Sequence, residues 1–70
     1  MSHFRVLKRG AEIVRSLAFE GYRVMNRDPV FDTYYLRHAN GNTMQVVIVN
    51  NQIRVYKNGK IKKVENVPVR

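Results

Sequence analysis

Seventy residues carry 13 Lys+Arg against 5 Asp+Glu, a formal charge of +8 with a pI near 10.5. So short a chain forms one core and buries only about 60% of its extended surface, which excludes a multi-step enzyme with its own cofactor domain. Cysteine is absent, so no disulfide framework or thiolate zinc site staples the fold, and packing or a partner subunit has to stabilise it.

A hydrophobic fraction of 44% is ordinary for a globular chain and argues against disorder. One small domain over residues 1–70 is expected, with a flexible tail over about 66–70. The first residues mix charge with apolar side chains and form no signal-like run, and no stretch approaches the ~20 apolar residues of a membrane span. A cytoplasmic protein with no membrane partner is expected.

Phe4, Leu7, Ala11, Val14, Leu17 and Ala18 recur at steps of three and four, which predicts a helix from about residue 4 to about 20 with this stripe facing a core. Arg5, Lys8, Arg9, Glu12 and Arg15 fall on the other face, with Lys8 and Glu12 one turn apart. Gly10 is the weak point, because a mid-helix glycine costs about 1 kcal/mol relative to alanine. Gly21 marks the end, as a residue suited to the left-handed conformation just past a helix.

Beyond Gly21 the period changes from 3.6 to 2. Strands are expected over Tyr22–Arg27, Phe31–Ala39, Asn42–Val49, Gln52–Lys57 and Lys60–Val64, broken by Asp28-Pro29, Asn40-Gly41, Asn50-Asn51 and Asn58-Gly59. The expected fold is α+β, one N-terminal helix packed on an antiparallel β-meander of four to five strands.

Two-residue loops at Asn40-Gly41 and Asn50-Asn51 pair Tyr35 with Val46, Arg37 with Met44, Val46 with Val55 and Ile48 with Ile53. One face then holds Tyr35, Met44, Val46, Ile48, Ile53 and Val55 and is the floor under the helix. The other holds Tyr34, Leu36, His38, Gln45, Val47, Val49, Arg54 and Tyr56. The last hairpin is open: a two-residue loop puts Ile61 and Lys63 on this second face, a three-residue loop turns Ile61 inward. One helix covers only one side of a sheet, so function is expected on the second face.

That face mixes aromatic and basic side chains, and Lys60, Lys62 and Lys63 crowd its rim in a segment with no acid between Asp32 and Glu65. Phosphates attract Lys and Arg, and unstacked bases pack on aromatic rings. The expected function is therefore non-enzymatic contact with nucleic acid, DNA or RNA undetermined. Tyr34 and Tyr56 would stack, and Arg37, Arg54, Lys60, Lys62 and Lys63 would meet phosphates. A plainer reading has the tyrosines packing and the lysines keeping a sheet edge soluble. No RNA-recognition motif, glycine-rich clamp loop, helix-turn-helix spacing or finger pattern supports base-specific readout.

The alternative is a protein-interaction module built on Leu36, Val47, Val49 and Tyr56, either a homodimer or a phage- or plasmid-type inhibitor or adaptor docking on an acidic partner. Catalysis has least support. His3 and His38 are the only neutral-pH acid/base groups, Asp28 and Asp32 flank a proline turn, and no phosphate loop, nucleophile elbow or metal-ligand spacing occurs. No cofactor is expected.

Overall fold

The computed structural model describes residues 2–68, with side chains from Arg5 onward. The expectations placed on the His3 and Phe4 side chains, and on residues 69–70 of the tail, fall outside the described residues. A helix α1 (Ser2–Phe19) precedes β1 (Tyr22–Asp28), β2 (Thr33–His38), β3 (Thr43–Val49), β4 (Gln52–Lys57) and β5 (Lys60–Asn66). The strands form one antiparallel sheet in the order β1-β2-β3-β4-β5, and the helix packs on one side against β1, β3 and β4. This is the expected α+β meander with five strands.

The helix runs unbroken through Gly10, and its buried stripe is rotated from the expected one. Val6, Gly10 and Leu17 are buried, with Leu7, Ile13 and Val14 half-buried, whereas Ala11 and Ala18 are exposed. The cause is a close approach: a Cβ on Gly10 would stand 2.6 Å from Ile48 Cδ1 on β3. Only a residue without a side chain lets the helix axis sit this near the sheet. The helix ends as expected, with the Gly21 amide donating to the Ala18 carbonyl at 3.0 Å and Gly21 at φ 103°.

Turn geometry sets the strand faces. The Asn50-Asn51 loop has two residues, so Val46 opposes Val55 and Ile48 opposes Ile53 as expected. The β2–β3 loop has three: His38 N–H donates to the Asn42 carbonyl and Gly41 N–H to the His38 carbonyl, both at 2.9 Å, with Gly41 at φ 96°. A three-residue hairpin of this kind places glycine in the left-handed position. One extra loop residue shifts the register by one, so Tyr34 opposes Val46 and Leu36 opposes Met44. The expected pairs Tyr35 with Val46 and Arg37 with Met44 are thereby corrected, and β2 turns over.

Leu36, 2% exposed, joins Val6, Leu17, Tyr22, Met44, Val46, Ile48, Ile53, Val55 and Val67 in the core. At the last hairpin both Asn58 (φ 51°) and Gly59 (φ 84°) adopt positive φ in a two-residue loop. Ile61 therefore opposes Tyr56 on the open face. A bulge at Lys62 then restores Lys63 to the helix side opposite Val55. The sheet reaches Asn66, and Val67 beyond it is buried with its amide donating to the Asn51 carbonyl at 2.8 Å.

Candidate nucleic-acid interface

Among the described residues no helix or strand covers the far side of the sheet. Register arranges its side chains in rows that cross the strands. The first row is Arg23, Arg37 and Thr43. The second runs Asn26, Tyr35, Gln45, Tyr56 and Ile61 over all five strands, and the third runs Asp28, Thr33, Val47, Arg54 and Val64. Two tyrosines thus flank one glutamine, with a pair of arginines on one side and a single arginine on the other.

Each part has a local cause. Tyr35 faces outward because the three-residue loop gives the inward position to Leu36, and Tyr56 alternates with Val55, which opposes Val46 in the core. Arg23 alternates with the buried Tyr22. Arg23 and Arg37 oppose each other directly, an arrangement in which like charges repel and an anion between them is favoured. Arg54 donates from Nε to Gln52 Oε1 at 2.8 Å, which orients its guanidinium along β4. Met25, Tyr35, Arg37, Thr43, Gln45 and Gly59 line a depression of about 500 Å³ on this face.

The expected residues divide. Arg54, Tyr56, Val47 and Val49 lie on the open face as anticipated, and Arg37, expected to contact phosphate although the expected register set it opposite Met44, lies there because the register is shifted. Tyr34 does not. It packs half-buried against the core on the helix side, with the Arg27 guanidinium 5.4 Å from its ring centroid. Leu36 is a core residue and offers no interface. Lys60 opposes Lys57 at the hairpin end, and Lys62 and Lys63 line a separate depression with Arg9, Ile13 and Leu17 on the helix side. Lys62 and Lys63 therefore lie toward the helix, and Lys60 sits at the hairpin end, so the lysines do not stand beside Tyr35.

Tyr35, 37% exposed, and Arg23 belong to the face and were not among the expected contacts. One signal pointed to them: a two-residue loop buries Arg37 opposite Met44, an unpaired charge in the core, and a three-residue loop replaces it with Leu36.

Two polar clusters sit on the helix side. Arg9 Nη2 donates to Glu65 Oε1 at 3.1 Å and its Nε to Glu65 Oε2, a forked contact that ties α1 to β5, while Nη1 donates to Glu12 at 3.2 Å. The Arg9 hydrogen bonds hold the Glu65 carboxyl below its ordinary range, with Lys63 Nζ at 3.4 Å assisting. His38 also lies on this side, opposite Tyr22, and not on the open face where alternation from Tyr34 had put it. The Asn40 amide donates to its Nδ1 at 3.1 Å, so Nε2 carries the proton and donates to the Glu20 carbonyl at 3.1 Å. The two ring nitrogens thus join the β2–β3 loop to the helix end, away from the tyrosine row.

Among the described residues no helix is long and apolar enough to cross a membrane, and no group of three or more His, Asp or Glu could hold a metal ion. Comparison of the chain with protein-family models, curated proteins and solved structures found no match.

Proposed function

We propose that this protein binds nucleic acid, DNA or RNA, through the open face of its sheet and performs no chemistry on it. The observation that carries the reading is the directly opposed Arg23–Arg37 pair beside the Tyr35–Gln45–Tyr56 row, with Arg54 beyond it and no acidic side chain in the first two rows. Arg23 and Arg37 would share a phosphate, Arg54 would hold a second, and the tyrosines would pack on bases. The net charge of +8 adds a long-range field that speeds encounter with a polyanion. The lysines of the β4–β5 hairpin contribute to that field from the sheet edge.

Fluorescence anisotropy with labelled oligonucleotides at low and at physiological salt tests the proposal. Binding is expected at low salt and weakens with a log–log slope of about −0.7 per phosphate contact on a single strand, so roughly −1.4 for the two phosphates held by the three arginines. No binding at low salt rejects it.

A second reading is a protein interface on the same face. Ile61 and Val64, both exposed, extend the apolar strip of Val47 and Val49 beside Arg54, a composition suited to an acidic partner or a second copy. Sedimentation of the parent and of Val47→Asp examines the second copy: a dimer split by that variant favours this reading, and a monomer at high concentration removes self-association.

A further inference from the structure

From the tyrosine row we infer that the ligand of this face is single-stranded, held extended across the strands with two non-adjacent bases packed on Tyr35 and Tyr56; the inference rests on the nucleic-acid reading above. Tyr35 and Tyr56 each oppose Gln45, so two strand spacings separate them, about 9.6 Å at the backbone. Stacked bases in a nucleic-acid strand lie only about 3.4 Å apart. Neighbouring bases of a continuous stack therefore cannot occupy both rings. A strand that meets both has its bases unstacked and splayed, and a duplex, whose bases are stacked and paired inside it, presents no faces to such a row.

The surroundings of the row fit the same ligand. Gln45 sits midway, and its side-chain amide both donates and accepts, so it can meet the edge of an intervening base. The depression of about 500 Å³ beside Tyr35, bordered by Met25, Arg37 and Gln45, has the volume of a small-ligand site and gives an unstacked base room. Arg37, opposite Arg23, follows Tyr35 on β2 after one intervening residue, and Arg54 precedes Tyr56 on β4 in the same way, so each lies roughly 7 Å along its strand from the row. A backbone that crosses the row diagonally, from the Arg23–Arg37 side at β2 to the Arg54 side at β4, would run within reach of these guanidiniums. Ile61, 56% exposed at the β5 end of the row, continues the apolar track past Tyr56.

The test compares oligothymidylate, oligouridylate and a mixed-sequence DNA duplex of equal length, by anisotropy at low salt. The parent, Tyr35→Ala, Tyr56→Ala, both Tyr→Phe variants and Tyr35→Leu are measured, each first shown to be folded by circular dichroism. Single strands should bind more tightly than duplex, and each Tyr→Ala change should lose roughly tenfold or more. Phenylalanine should retain the affinity, and leucine, which keeps apolar bulk without a ring, should not. Duplex binding equal to or tighter than single-strand binding, with the tyrosine variants unchanged and Arg37→Ala weakened, overturns the inference and leaves the nucleic-acid reading standing. Failure of every oligonucleotide to bind overturns that reading itself.

Discussion

Gly10 of the helix and Ile48 of the third strand touch so closely that a single methyl group on the glycine would overlap the isoleucine: a Cβ at that position would lie 2.6 Å from Cδ1 and 3.3 Å from Cγ1. Two effects oppose each other in Gly10→Ala. Better helix propensity contributes about 1 kcal/mol in favour, and overpacking a tight contact costs about 1–3 kcal/mol. The second prevails here because Ile48 is itself buried and branched at Cβ. Denaturant unfolding should show a net loss of about 1 kcal/mol for Gly10→Ala, and a double variant with Ile48→Val should lose less than the sum of the single changes. Strict additivity would mean the contact is not tight.

The register of the second strand gives a second prediction. Leu36→Ala should cost about 2–5 kcal/mol as a core truncation, whereas Tyr35→Ala, on the open face, should cost well under that. Equal urea midpoints for the two variants, or the reverse order, would restore the two-residue loop.

Glu65 predicts part of the acid behaviour. Its folded pKa is held below the ordinary value of 4.5 by the Arg9 hydrogen bonds, so the folded state binds this proton more weakly than the unfolded state does. The stabilisation is fully present above about pH 4.5 and is lost as pH falls through the folded value. Both side chains are partly exposed, so the contribution is small, about 0.2–1 kcal/mol. Stability profiles of the parent and of Glu65→Gln should differ at neutral pH and converge in acid; parallel profiles down to acid would show that the pair contributes nothing.

His38 bridges the Asn40 amide and the Glu20 carbonyl, joining the β2–β3 loop to the helix end. Replacing it with alanine leaves both backbone groups to water and removes the edge-on contact with Tyr22, whose ring centroid lies 5.1 Å away. A loss of about 1 kcal/mol is expected, a fall in Tm of roughly 4–8 °C for a domain this small. An unchanged Tm would show that the bridge is not formed in solution.

Elements were readable in the sequence where local chemistry admits one answer. Gly21 after a periodic apolar run ends a helix, and the Asn50-Asn51 hairpin has the expected pairing. Asn40-Gly41 admits two turns, one with both residues at the corner and one with glycine third in the loop. Tyr34, Tyr35 and Leu36 are all apolar enough to face inward, so alternation alone does not choose between them. What chooses is tertiary: the core accepts Leu36 and rejects Arg37. The helix stripe departs from its expected place for a related reason, since hydropathy gives Gly10 no weight although the close approach to Ile48 depends on it. The tyrosine row and the paired arginines follow from that register, so they emerge only once the strands are aligned.

Nucleic-acid binding to the open face is tested most directly by following backbone amide resonances while a short oligothymidylate is added at low salt. The largest shifts should fall on strands β1 to β4 at Arg23, Tyr35, Arg37, Gln45, Arg54 and Tyr56, with the outer helix positions Arg5, Lys8 and Arg15 little changed. Shifts concentrated on those helix positions or on Lys60, Lys62 and Lys63, with the tyrosine row unmoved, would place the binding surface elsewhere and refute the assignment.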